Sequence, residues 1–136
     1  MACRNTLRAT MEGFLKQYEA DFPGTCGQFA ASMFPTGADQ ALVGRVRDSL
    51  CDGPPEIAIA LLRGFGAYDM AGAMSRAGVP VRVVNADMMP TNLEGNRTLA
   101  DFSAKIMTGV GHFPMLERPE EFNRLLRETL AELPGR

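Results

Sequence analysis

Hydrophobic positions recur at helical spacing through the first half of this chain and give way to a β-branched run at Val79. Thr6 can cap a helix over Leu7–Glu19, since Leu7, Met11, Phe14, Leu15 and Tyr18 form one apolar stripe. Asp21-Phe22-Pro23-Gly24 breaks that helix, and a short one through Gln28 to Met33 ends before Phe34-Pro35-Thr36-Gly37. Asp39 is a suitable cap for a helix over Gln40–Cys51, with Leu42, Val43, Val46 and Leu50 on its apolar face. Pro54-Pro55-Glu56 opens another, because a proline in the first turn gives up an N–H that has no helical partner. Asp69 caps one more short helix, ending near Gly78.

Beyond that point the period changes. Val79–Val84 is apolar on both faces apart from Arg82, as a buried parallel strand would be. Thr91-Asn92-Leu93-Glu94 has the spacing of a capping box and predicts a helix to about Ala100. A second strand follows over Ser103–Met107. Pro119, the acidic Glu120 and Glu121, and the stripe Phe122, Leu125, Leu126, Thr129, Leu130 predict a final helix. Strand, helix and strand at this spacing form a βαβ crossover, so the strands should lie parallel. A parallel sheet needs cover on both faces and leaves unpaired edges, so the implied fold is larger than the chain.

Composition narrows the classes. A hydrophobic content of 46% and a charged content of 22% suit a folded globular chain, with no low-complexity segment. A net charge of -2 gives no electrostatic reason to expect nucleic acid or an anionic membrane as partner. Apolar runs fall far short of the roughly 20 residues of a membrane helix, and Met1–Thr10 lacks a signal-peptide core. Cys3, Cys26 and Cys51 are odd in number, far apart and without nearby histidine, which predicts free thiols in a reducing cytoplasm. Neither a metal nor another cofactor is expected, and no phosphate-binding glycine loop is present.

The candidate chemistry lies in Gly109-Val110-Gly111-His112-Phe113-Pro114-Met115-Leu116-Glu117, followed by Arg118-Pro119-Glu120-Glu121-Phe122. It places the only histidine in a glycine-softened loop between the second strand and the last helix. This combination resembles the histidine end of the α/β-hydrolase family. Val79–Asp87 resembles the family's penultimate strand, Phe102–Met107 its final strand and Pro119–Leu130 its C-terminal helix. Residues from about Leu7 to Asp69 are similar to the helical cap that shapes the substrate pocket in such enzymes. The resemblance implies a partial α/β-hydrolase fold, with cap and connecting helix over 1–78, a βαβα core segment over 79–136, and the first core strands absent.

It further implies His112 as the general base, taking a proton from the nucleophile and later activating water. The family's acid often follows the penultimate strand in Gly-x-x-Asp-Pro, where this chain has Met89. Asp87, two residues earlier, is one candidate; in other branches the acid follows the preceding strand, which would lie upstream of Met1. A nucleophile elbow, Gly-x-Ser-x-Gly, is missing. Ser32, Ser49, Ser75 and Ser103 lack the glycine frame, and Cys26 in Gly24-Thr25-Cys26-Gly27 is the nearest imitation. Phe22, Phe29, Met33, Phe34, Met88 and Met89 could line an apolar substrate pocket, although apolar residues at helical spacing more often form core. Glu117 and Arg118 read as surface charges that begin the last helix.

Two functions remain open. One is the C-terminal portion of a cofactor-free hydrolase acting on a small apolar ester, inactive alone and needing a missing N-terminal segment. The other is an inactive remnant or non-enzymatic binding module of the same ancestry. In either case the strand edges predict self-association of this span.

Overall fold

The computed structural model describes residues 12–133, so the predicted cap Thr6, and Leu7, Met11 and Cys3, lie outside the described residues. Elements follow the order α1 (12–20), α2 (Phe22–Ser32), α3 (Gln40–Cys51), α4 (Pro55–Ala67), α5 (Met70–Arg76), β1 (Val81–Ala86), α6 (Leu93–Leu99), β2 (Phe102–Met107), α7 (Pro114–Glu117) and α8 (Pro119–Ala131). The chain divides into two compact units. The first holds residues up to Ser32 together with Val43–Tyr68, and the second holds Met33–Leu42 and everything from Asp69 onward. The change of period at Val79 therefore falls inside the second unit, where α5 packs on the crossover helix α6.

The first unit is helical and is built around aromatic rings. Tyr18, Phe22 and Cys26 are buried, with Phe14, Phe29, Cys51, Ala58, Ile59 and Leu62 packed against them. Edge-to-face contacts link Phe14 to Tyr18 at 4.9 Å, Phe14 to Phe29 at 5.3 Å and Tyr18 to Phe22 at 5.7 Å. Burial pushes the Tyr18 phenol above its ordinary range. An Arg63–Glu19 ion pair ties α4 to α1.

Two features depart from expectation here. The break at Asp21 lasts one residue, and α2 starts at Phe22 instead of near Gln28. Pro23 sits in the first turn of α2, where its missing N–H costs nothing, and the Asp21 carboxylate accepts from Gly24 N at 3.1 Å. The second departure is a disulfide between Cys26 and Cys51, whose Cα atoms are 5.9 Å apart. Distance along the chain was the argument for free thiols, but packing α2 beside the end of α3 removes that separation.

In the second unit β1 and β2 form a parallel pair, in register from Val81↔Phe102 to Ala86↔Met107. α6 carries the crossover and packs on β2, while α8 packs across both strands. β1 begins two residues later than its hydrophobic run, since Pro80 has no N–H for the ladder. Its first bond is Val81 N to Asp101 O at 2.8 Å. Every residue of β1 is half-buried, not buried as expected, because β2 is its one partner strand among the described residues. Arg82 is accommodated by turning its guanidinium onto both carboxylate oxygens of Asp101, at 3.0 and 2.9 Å.

The cap of α6 is also different from the predicted box. Asn92 accepts from Gly95 N at 2.9 Å, and Thr91 Oγ1 instead accepts from Asn85 Nδ2 at 2.9 Å. This side-chain bond joins the end of β1 to the start of the crossover. Lys105 of β2 reaches Glu132 at 2.7 Å beyond the end of α8. The hydrogen bond to Glu132 holds the Lys105 ammonium above its usual range, and Arg124 holds Glu128 below the usual carboxylate range.

The cysteine pairing is directly testable. A Cys3→Ser chain, denatured without reductant, should show no free thiol by Ellman titration and two after reduction. Closing a loop with a sequence separation of 25 implies that Cys26→Ser with Cys51→Ser lowers unfolding free energy by about 3 kcal/mol, read from the urea midpoint.

Candidate active site

The carboxyl ends of both strands open onto one set of loops, the position where open α/β sheets place their ligands. Met107 at the end of β2 is buried completely. The chain then turns at Gly109, whose φ of 68° is one that side chains rarely adopt. Val110 is buried and pins the loop from inside. Gly111 has a different reason to be glycine. A Cβ there would lie 2.2 Å from Met33 O and 2.9 Å from Phe34 Cα, so the main chain at 33–34 takes up the space.

His112 follows, and its backbone N–H donates to Met33 O at 2.7 Å. The imidazole is exposed, and its ring lies edge-on to Phe113 with centroids 5.4 Å apart. Phe113 in turn stacks on the buried Phe34, also at 5.4 Å. Among the described residues no carboxylate hydrogen-bonds the imidazole. Asp87, just past β1, is nearby in the loop network, but its Oδ1 accepts from Gly109 N at 2.9 Å. It links the two strand-end loops through backbone.

Glu117 corrects the sequence reading, which took it and Arg118 for surface charges, whereas Arg118 is exposed at the start of the last helix as expected. α7 is a single turn opened by the buried Pro114, and it folds back over the loop that precedes it. Glu117 is half-buried, and its Oε1 accepts from Gly111 N at 2.8 Å. The Arg118 guanidinium donates to Thr108 O at 3.0 Å and to Gly109 O at 3.3 Å. A proline three residues ahead of a glutamate was the available signal, since it starts a turn that brings position 117 back toward 111.

The residues named for an apolar pocket fall in both units. Phe22 and Phe29 belong to the aromatic core of the first unit. Met33, Phe34, Met88 and Met89 belong to the second, with Phe34 buried and Met88 and Met89 exposed. Cys26, the nearest imitation of a nucleophile, is tied up in its disulfide. Ser103 lies within β2, not at a strand–helix turn, and Ser75 lies in α5. The site as described offers an exposed, backbone-fixed imidazole and an apolar ring stack beside it.

No protein-family model matches the chain, and neither does any curated protein. Among solved structures it is similar to Est816, an N-acyl homoserine lactone degrading enzyme, with a TM-score of 0.64 and 22% sequence identity. The similarity covers 83% of this chain and 49% of that one, so this chain spans about half the length of its structural neighbour. Likeness at this level establishes a shared fold with a hydrolase.

The close approach at Gly111 predicts the effect of a single methyl group. Gly111→Ala should cost about 1–3 kcal/mol by overpacking against main chain that cannot rotate away. Gly13→Ala, with open space around it, should be neutral or stabilising. Urea unfolding of both variants checks the contrast.

Proposed function

We propose that this chain carries the cap and the base-bearing end of an α/β-hydrolase, with His112 as general base. The observation behind this reading is an exposed imidazole just beyond the carboxyl end of β2, on a loop whose backbone is bonded from several sides. In this role His112 removes the proton of a nucleophilic hydroxyl as that oxygen attacks an acyl carbon. It then returns the proton to the leaving group and later takes one from water to release the acyl product. The nucleophile and the oxyanion donors come from strands that would pair beside β1, in a segment preceding this one.

The substrate we favour is a small, mostly apolar ester. A lactone is a cyclic ester, so the lactone-degrading activity of Est816 supports this bond type. Phe113, Met33, Met88 and Met89 supply apolar surface in the unit that bears His112, with the buried Phe34 stacked on Phe113. Asp87 is engaged with Gly109 N, which favours an orienting acid after the strand that would precede β1. No single helix among the described residues is long and apolar enough to cross a membrane. The Cys26–Cys51 bond suits an oxidising compartment, so free thiols no longer argue for the cytoplasm.

Activity tests separate this reading from a binding module. The present span alone should neither turn over p-nitrophenyl butyrate nor label with a fluorophosphonate. The product of a longer frame, containing Gly-x-Ser-x-Gly upstream, should do both, and His112→Ala in it should lower kcat roughly 10²–10⁴-fold. Enzyme-like turnover by this span alone, or a stop codon immediately before Met1, would overturn the proposal in favour of a self-sufficient or remnant protein.

The strand edges carry a second expectation. β1 and β2 each present one unpaired edge within this sheet, so the purified span should dimerise or aggregate. Static light scattering that finds a monomer with sharp thermal unfolding would count against it.

A further inference from the structure

We infer that Glu117 is a positioning residue for His112, acting through the amide of Gly111, with Arg118 holding the other end of the same loop. Gly111 is buried, and its N–H meets the Glu117 carboxylate at 2.8 Å. The next amide, that of His112, meets Met33 O at 2.7 Å. Two consecutive N–H groups are thus fixed from opposite partners, which sets the orientation of the peptide plane from which the imidazole projects. On the upstream side, Arg118 binds the carbonyls of Thr108 and Gly109 while Asp87 binds Gly109 N. A carboxylate accepting from a buried amide is stronger than a neutral pair, and losing it leaves that amide without a protein partner.

Both side chains bond loop backbone and not the imidazole, so their effect reaches the ring through the main chain that carries it. The single-turn α7 explains how adjacent residues can serve both ends of the loop. Pro114 starts the turn, and Glu117 and Arg118 close it, delivering an acceptor to Gly111 and a donor to Thr108 and Gly109. The clamp itself stands on geometry alone; its value for catalysis rests on the reading of His112 as base.

The chain has one histidine, so its imidazole Cε1–Hε1 resonance is unambiguous. In the present chain, Glu117→Ala should broaden or split that resonance and speed exchange of the Gly111 amide roughly 10-fold or more. Glu117→Gln keeps an acceptor oxygen and should restore a single resonance and most of the protection. A through-bond coupling between Gly111 ¹⁵N and Glu117 ¹³Cδ in the unsubstituted chain reads the same contact should Glu117→Ala fail to fold. Absence of that coupling, or wild-type exchange and resonance in a folded Glu117→Ala chain, overturns the clamp.

In the longer, ester-hydrolysing product, Glu117→Ala should lower kcat about 10-fold with KM nearly unchanged, and Glu117→Gln should recover it. The two readings fail separately. A clamp seen by resonance in a product whose His112→Ala variant stays active would discard the base and keep the clamp. Loss of activity in His112→Ala, with no response of Gly111 to Glu117→Ala, would do the reverse.

Discussion

A loop that leaves a strand and turns back beneath another segment must satisfy its own peptide groups, and that constraint governs the second unit. From Thr108 to His112 the main chain has left the β-ladder, yet it stays partly buried under the backbone at 33–34. An unpaired buried peptide group costs as much as a lost hydrogen bond or more. Four residues from three places bond the loop: Glu117 in α7 satisfies the buried amide of Gly111, Met33 before α3 takes the next amide, and Asp87 after β1 and Arg118 at the end of α7 bond its exposed turn. The segment that precedes α3 joins the second unit partly through this bonding, despite lying far from the sheet in sequence.

The sequence was most readable where the determining forces are local. Asp39, whose carboxylate accepts from Ala41 N at 2.9 Å, marks α3 correctly, and the Pro119 start and apolar stripe mark α8. β1 slipped by two residues because hydrophobic patterning does not register that Pro80 lacks a donor. Thr91 and Asn92 compete for one cap, and the outcome depends on Asn85 claiming the threonine hydroxyl from the end of β1. The cysteine pair was invisible for a related reason, since cysteine spacing says nothing about two helices laid side by side.

The site shows the same split. His112 stood out through its glycines and its place after a strand, both local properties. Its supports did not, because a side chain bonding to backbone leaves no pattern in residue types. Glu117 looks like any surface glutamate until a one-turn helix returns it to Gly111. The two glycines were grouped as bending residues, but they answer to different constraints. Gly109 serves a backbone angle, and Gly111 serves the close passage of another strand of main chain.

Exposure of apolar surface bears on what the chain is built to do. In the first unit α4 turns Ala58, Ile59 and Leu62 toward the aromatic core, yet Ile57, Leu61 and Phe65 on its other side are more than half exposed. A helix apolar on all sides is suited to burial on all sides. In the second unit a two-stranded parallel pair stays half-buried, whereas parallel sheets are ordinarily covered on both faces. Each surface is of the kind that a further segment or partner would cover. Around His112 the bonding is of another kind: it fixes the backbone from which the imidazole projects and leaves the ring exposed beside Phe113.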